Sequence, residues 1–163
     1  MIKYLRLLIA SVLALLILFS PISTQANNKP AVVTKTVSNK DFSGKSLIAA
    51  EFKKLNLENS NFSNADLRGA VFNSSLLSKA NFHGVDFTNG IAYLVDFQGA
   101  DLTDAILTEA MMLYSKFDDV DITGADFSNT VIDGVQLKKL CVHASGINSQ
   151  TGVSTRESLE CDY

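Results

Sequence analysis

The chain has 163 residues, of which 47% are hydrophobic and 19% are charged, and its formal net charge is −3. This length fits a single folded domain. The mild acidity disfavours nucleic acid and anionic membrane surfaces as partners.

The N-terminal stretch from Met1 to Ala26 has the pattern of a secretory signal peptide. Lys3 and Arg6 precede a run, residues 7–19, that is apolar except for Ser11, and Thr24-Gln25-Ala26 places small residues where signal peptidase cleaves. The run is shorter than the roughly 20 residues that a membrane span needs, so a permanent membrane anchor is disfavoured. The sequence predicts export, with cleavage after Ala26. Loss of two positive charges then changes the net charge from −3 to −5.

Residues 27–39 form a predicted N-terminal segment ahead of the main domain. The segment contains Pro30 and a β-prone stretch from Ala31 to Val37. It is expected to serve as a tether or to lie as a strand over the start of the domain.

Residues 40–139 carry a five-residue repeat. Nineteen of the twenty positions in one phase, from Phe42 to Leu137, hold a large apolar residue, and only Ala92 departs. A period of five fits neither a helix nor a long flat strand, so the chain must turn in every repeat. A short period sustained for this length predicts a solenoid.

The residues beside each apolar centre follow the same period. Two residues before the centre, seventeen of twenty side chains are Ala, Ser, Thr, Gly or Val. The residue immediately before the centre is Asp or Asn in ten of twenty repeats. Lys40, Lys45 and Leu55 break the small-residue rule, so the first coil is predicted to be irregular.

Segments such as Ala65–Gly69 and Ala100–Asp104 match the A(D/N)Lxx motif of the pentapeptide-repeat proteins, which residues 40–139 resemble. The resemblance implies an all-β solenoid, a right-handed quadrilateral β-helix with four pentapeptides in each square coil. Twenty pentapeptides would form about five coils, and a strand spacing of about 4.8 Å would make the rod roughly 24 Å long. Ala92 would share its coil with three phenylalanines, which are predicted to fill the space that it leaves.

Residues 140–163 are predicted to form a C-terminal cap. Both cysteines, Cys141 and Cys161, lie there, and in an exported chain the pair favours a disulfide over a redox-active pair or metal ligands. Such a disulfide should add roughly 3 kcal/mol to the free energy of unfolding. Two short helices are predicted, from Leu137 to Ala144 and from Thr155 to about Cys161, the second preceded by the capping-box pattern Ser154-Thr155-Arg156-Glu157.

The tail also resembles that of lumenal pentapeptide-repeat proteins of cyanobacteria and chloroplasts. The resemblance lies in segments 140–148, 151–152 and 155–161. Together with the signal peptide, it implies a location in the thylakoid lumen or the periplasm.

The sequence gives little support to catalysis or metal binding. His83 follows an apolar centre and is predicted to point outward alone, and the sequence contains no GxSxG, HExxH, P-loop or CxxC motif. One column of residues before the centres would place Asp101 and Asp121 about 5 Å apart, a spacing compatible with calcium. The column reads Asp41, Asn61, Asn81, Asp101, Asp121. The preference of the repeat for Asp or Asn explains this column better. No enzymatic activity, cofactor or metal is expected.

One face of the predicted rod is apolar. We call its eight candidate residues the apolar strip: Val71, Ile91, Tyr93, Leu94, Met111, Leu113, Tyr114 and Val131. Monomeric proteins rarely leave so continuous an apolar surface open to water. The tail or the N-terminal segment therefore covers the strip, or the strip binds a partner.

These patterns predict a non-enzymatic scaffold or protein-interaction module that is monomeric or weakly dimeric and binds an unknown protein through the apolar strip. The alternative is a DNA mimic, because the quinolone-resistance members of the family resemble duplex DNA and inhibit gyrase. Export and an unbroken repeat without projecting loops oppose this alternative. A third possibility, a small-ligand or calcium binder, would need a cleft, which a filled rod lacks.

Overall fold

The computed structural model describes residues 35–161. The predicted signal peptide and residues 27–34 of the N-terminal segment lie outside this range. Within it, parallel backbone bridges join residues 20 positions apart. They form four columns of five stacked residues, headed by Thr36, Asp41, Ser46 and Glu51. A backbone that pairs with itself after every fourth pentapeptide forms a β-helix with four sides. The named strands, β1 (Lys35–Thr36) and β2 (Leu55–Asn56), pair in parallel in the first column.

The solenoid begins and ends earlier than predicted. Lys35 already pairs with Leu55 because Val37 continues the five-residue register upstream of Phe42. The predicted end at residue 139 is wrong, since a helix begins at Gly134. Residue 137, predicted as the last apolar centre, therefore belongs to that helix.

The first coil is regular, so the expected irregularity is wrong. Its bridges, such as Asp41↔Asn61 and Ser46↔Asp66, keep the 20-residue register of the coils below. Lys40 and Lys45 are exposed at this end of the rod, so neither ammonium group has to enter the core. Leu55 is half-buried and packs against the core from β2.

The core is filled by the apolar centres and the small residues that precede them. Phenylalanine rings stack between successive coils, with centroid distances of 4.6 Å for Phe52 and Phe72 and 5.4 Å for Phe97 and Phe117. Each fully buried side chain of this size stabilises the fold by about 1.5–3 kcal/mol. The apolar centres thus provide the main driving force for the coil.

Phe87, one of the three phenylalanines in the coil of Ala92, packs against the coil above and against Gly90. The ring of Phe87 lies 5.9 Å from that of Phe72 in the coil above. A Cβ added to Gly90 would overlap the Phe87 ring, so any larger residue at this position would have to displace that ring. Phe87 therefore occupies the volume that Gly90 leaves free, while the filling of space beside Ala92 stays a prediction.

Most pentapeptides turn with a backbone hydrogen bond from the third residue after the apolar centre, whereas the Leu55 and Val95 amides donate to a serine hydroxyl instead. In the first such turn the Phe42 carbonyl accepts a hydrogen bond from the Lys45 amide at 3.2 Å. The residue two after the apolar centre has a positive φ at all nineteen positions from Asn39 to Asn129. At all ten Asp or Asn residues that precede a centre, the side-chain oxygen accepts a hydrogen bond from the amide two residues later. The Asp/Asn preference is therefore a turn-forming Asx preference.

The tail contains two helices, α1 (Gly134–His143) and α2 (Thr155–Ser158). A disulfide joins Cys141 in α1 to Cys161, which follows α2. Helix α1 starts three residues before the predicted Leu137 because the Asp133 carboxylate caps it, accepting from the Gln136 amide at 3.2 Å. The predicted capping box is wrong, since the Ser154 side chain makes no cap hydrogen bond, and α2 ends before the predicted Cys161.

The tail closes the end of the β-helix by forming hydrogen bonds with backbone groups of the coils. The buried Asn148 amide group donates to the carbonyls of Gly124 at 2.9 Å and Asp104 at 3.1 Å, while its Oδ1 accepts from two amides of its own loop. The Phe127 amide donates to the Ser158 hydroxyl at 3.0 Å. Backbone groups that a further coil would otherwise bind are thus satisfied by the tail.

We expect Asn148→Asp to be strongly destabilising. The replacement keeps the shape but removes the NH₂ donor and points a carboxylate at backbone carbonyls. Leaving such buried groups unsatisfied should cost roughly 3 kcal/mol or more. Urea unfolding followed by circular dichroism measures this. Asn129→Asp, at an exposed turn, is the matched control and should change stability little. Equal stability of the two variants would contradict the assigned role of Asn148.

Reduction of the disulfide should lower the free energy of unfolding by roughly 3 kcal/mol, because the loop between Cys141 and Cys161 gains freedom in the unfolded state. Calorimetry with and without reductant gives the difference, and the Cys141→Ala/Cys161→Ala variant controls for other effects of the reductant. A reduced protein that melts at the temperature of the oxidised protein would argue against a stabilising crosslink.

Candidate interaction surface

The structure brings all eight residues of the apolar strip onto one face of the β-helix. Parallel bridges stack Val71, Ile91, Met111 and Val131 directly above one another, and Tyr93, Leu94, Leu113 and Tyr114 follow in the same two central coils. Met111 is 42% exposed, Leu94 51% and Tyr114 61%. Tyr93 and Leu113 are half-buried between the exposed rows. The strip is therefore a continuous apolar surface with raised edges.

The described part of the tail does not cover the strip. Its hydrogen bonds reach other faces of the coil, through Asp104, Gly124 and Phe127, and Lys139 pairs with Asp118 at 2.6 Å. One of the three predicted arrangements, coverage by the tail, is thus wrong for residues up to 161. The N-terminal residues 27–34 lie outside the described range.

The strip lacks the side-chain hydrogen bond that stabilises other turns. Val71, Ile91, Met111 and Val131 stand where the repeat favours Asp or Asn, and they have no side-chain oxygen to accept from the following turn. A hydrogen bond of this kind contributes about 1 kcal/mol. Elsewhere in the described coils apolar residues at this position are isolated between polar neighbours: Leu76 lies between Asn56 and Asp96, and Ile106 between Asp86 and Asp126.

The strip also places large side chains in a left-handed backbone conformation. Leu94 and Tyr114 have φ values of 56° and 59°. They are the two large apolar residues among the nineteen left-handed turn positions of the described coils. This conformation costs a residue with a Cβ roughly 1 kcal/mol, which glycine and asparagine largely avoid. Tyr114 packs edge-to-face on Tyr93, with ring centroids 5.5 Å apart.

Buried serine hydroxyls support the turns that follow this face. The Ser115 hydroxyl donates to the Ala92 carbonyl at 2.6 Å and accepts from the Val95 amide at 3.0 Å. Ser75 makes the equivalent bonds to Phe52 and Leu55 two coils above. Sequence reasoning classed these serines only as small residues. Their recurrence in the column after the apolar face was the signal that could have identified them.

The acidic column is used for turn formation. The Asp101 and Asp121 Oδ1 atoms each accept from the amide and the hydroxyl of the threonine two residues later. His83 does not stand alone as predicted, because its Nδ1 lies 2.7 Å from the Thr103 hydroxyl. Residues 35–161 hold no group of three or more His, Cys, Asp or Glu side chains able to bind a metal ion.

One charge pair, Lys53 with Glu51, lies at the upper end of the strip's own column, and the two described next lie on other faces of the rod. Arg68 donates to both oxygens of Asp66, and this hydrogen bonding holds the pKa of the Asp66 carboxyl below its usual value. The Lys116 Nζ lies 3.8 Å from a carboxylate oxygen of Asp96 in the coil above.

In the described part of the chain, no helix has the length and hydrophobicity needed to cross a membrane.

Among the described residues, clefts lie between the last coil and the tail. One of them, of about 370 Å³, is open to solvent and is lined by Asp119, Asp121, Thr123 and His143. Another, of about 280 Å³, lies between Phe117 and Leu140. Both result from the packing of α1 on the coil.

Comparison with known proteins gives a consistent set of relatives. The family described as pentapeptide repeats matches residues 50–91 and 94–129 in eight copies. A solved pentapeptide repeat protein from the Arabidopsis thaliana thylakoid lumen is 34% identical, and the match covers 80% of this chain and 90% of that one with a TM-score of 0.63.

Two further matches cover less or are more distant. The thylakoid lumenal protein TL20.3 of Arabidopsis thaliana chloroplasts is 58% identical over 40 residues, 24% of this chain and 14% of that protein. This chain thus matches about one seventh of the length of that relative. The fluoroquinolone resistance protein QnrB1 is 21% identical over 64% of this chain and 83% of that chain, with a TM-score of 0.39.

We expect Leu94→Asn to stabilise the protein by roughly 0.5–1 kcal/mol, because asparagine tolerates the left-handed conformation. The measurement is chemical unfolding. Ile48→Asn is the matched control, since Ile48 is similarly exposed at 53% but its φ is not positive. A gain in the control, or a loss at Leu94, would show that the backbone conformation does not limit stability at this position.

Proposed function

This chain belongs to the pentapeptide-repeat family and is an exported protein of the thylakoid-lumenal type, and we propose that it is a non-enzymatic scaffold that binds a protein partner through the apolar strip. The proposal concerns a mature chain from which the signal peptide has been removed. It requires no cofactor and no metal.

The observation that supports this proposal is the coincidence of three departures on one face. The strip is apolar and exposed, it lacks the Asx hydrogen bonds of the other faces, and it holds Leu94 and Tyr114 in left-handed turns. Each departure lowers the stability of the free protein. Binding is a function that would compensate for all three, because a partner would bury the exposed side chains.

The rest of the molecule suits a rigid scaffold. We propose that about five coils form a stiff rod whose lower end is closed by a disulfide-stapled tail. Stacked aromatic rings and a backbone ladder hold the face rigid, so little conformational freedom is lost when a partner binds. Attachment of the strip to a rigid element also fixes the relative positions of its side chains.

A DNA-mimic inhibitor of an enzyme such as gyrase is the alternative function. It would depend on regular acidic faces and on access to a DNA-binding enzyme. The carboxylates of the described coils are largely engaged in their own turns, and the exported location separates the chain from gyrase. We therefore rank this alternative below partner binding.

The test is a double substitution, Ile91→Lys/Met111→Lys. Both side chains point into solvent, so thermal unfolding should change by no more than a few degrees while capture of the partner is lost. The measurement combines calorimetry with an affinity pull-down from membrane and lumen fractions.

The matched control is Leu76→Lys/Ile106→Lys, which makes the same chemical change at the same repeat position on other faces. This control should retain capture. If the strip variant captures its partner as well as the wild type, the strip is not the binding site. If the strip variant melts much earlier, another segment of the chain covers the strip.

A further inference from the structure

We propose that the apolar strip binds one amphipathic α-helix of a partner, laid parallel to the rod axis with its C-terminal end towards Lys53 and Lys54. The inference rests on the proposed function, since it identifies the kind of partner that the same surface fits. Three features support it: the spacing of the rows, the profile of the face and the charges at its ends.

The spacing of the rows matches a helix. Successive coils place Val71, Ile91, Met111 and Val131 at about 0, 4.8, 9.6 and 14.4 Å along the rod. Residues i, i+4, i+7 and i+11 of a helix lie at about 0, 6, 10.5 and 16.5 Å along its axis. The two series therefore differ by about 2 Å at most. Flexible side chains such as Met111 can accommodate such offsets.

An extended strand fits the same rows less well. Its side chains on one face recur about every 6.8 Å, so the third would lie roughly 4 Å out of step with Met111. The backbone of this face is also occupied, because Val71, Ile91, Met111 and Val131 already bridge to one another. A strand laid along the strip would therefore gain no ladder hydrogen bonds.

The profile of the face suits a rounded partner. Ile91 and Met111 form one exposed row, and Leu94 and Tyr114 form the other. Tyr93 and Leu113, which lie between the rows, are half-buried. The two rows can contact both sides of an apolar helical stripe, which occupies about three positions in every seven.

The charges on this face select the orientation. From Val71 to Val131 the outward residues of the face are uncharged, so the buried stripe of the partner must be uncharged too. At the upper end Lys53 is paired with Glu51 at 2.9 Å, so the exposed Lys54 supplies the net positive charge there, whereas Asp133 follows the strip at the lower end. The C-terminal end of a helix carries partial negative charge and often acidic side chains, so it is favoured beside the lysines.

The experiment uses the mature chain and synthetic peptides of about four helical turns. Each peptide carries one tryptophan as a fluorescent reporter, because the protein contains none. The forward peptide has apolar residues at i, i+4, i+7 and i+11 and glutamates near its C-terminal end. The reversed peptide carries the glutamates near its N-terminal end, a scrambled peptide has no period, and a strand peptide alternates with a period of two.

The forward peptide should bind at least about tenfold more tightly than the scrambled and strand peptides, and circular dichroism should show that it becomes helical when bound. Ile91→Lys/Met111→Lys should abolish this binding, and Leu76→Lys/Ile106→Lys should preserve it. Lys53→Glu/Lys54→Glu should reverse the preference between the forward and reversed peptides.

The inference is overturned if the strand or scrambled peptide binds as well as the forward peptide, or if the lysine substitutions leave the orientation preference unchanged. It is also overturned if the strip mediates stable self-association in analytical ultracentrifugation. Pull-down separates this inference from the proposed function. Capture that depends on the strip but is not competed by the forward peptide rejects the helix and retains the scaffold, whereas capture independent of the strip rejects the scaffold itself.

Discussion

The left-handed residue that ends each turn is the constraint on which the whole structure depends. It recurs in nineteen successive pentapeptides, and after every fourth turn the chain lies directly below its starting point. Parallel bridges, stacked rings and buried serines are all consequences of this regular return. Because the backbone conformation is fixed at each corner, the choice of side chain there is a balance between local strain and the use of an outward position.

The sequence was sufficient for the fold because two independent signals agreed. Apolar residues from Phe42 onward identified the interior of the coil, and the Asp/Asn residues beside them marked the turns, although their Asx hydrogen bonds only became evident in the structure. The ends of the solenoid were less predictable, because each depends on a single residue: Val37 at the start and Asp133 at the end. Whether Asp133 continues a repeat or caps a helix depends on the residues that pack around it in three dimensions.

The tail illustrates a second limit of sequence reasoning. The Ser154-x-x-Glu157 pattern is a reasonable helix start, yet the Ser154 side chain is not needed as a cap. Asn148, by contrast, has no distinguishing sequence context and binds carbonyls far upstream in the chain, those of Asp104 and Gly124. For the apolar strip, the period of 20 correctly predicted which residues share a face. Exposure and the freedom of the strip from the tail required the three-dimensional arrangement.

The strict 20-residue register also governs how such a surface can change. Insertion of four pentapeptides adds one coil and extends the strip by about 4.8 Å while every face keeps its direction. Insertion of a single pentapeptide shifts everything below it to the neighbouring face, which divides the strip into two parts separated by a quarter turn. The length of the binding surface can therefore change only in whole coils, and a longer partner segment would demand a gene change of four pentapeptides at once.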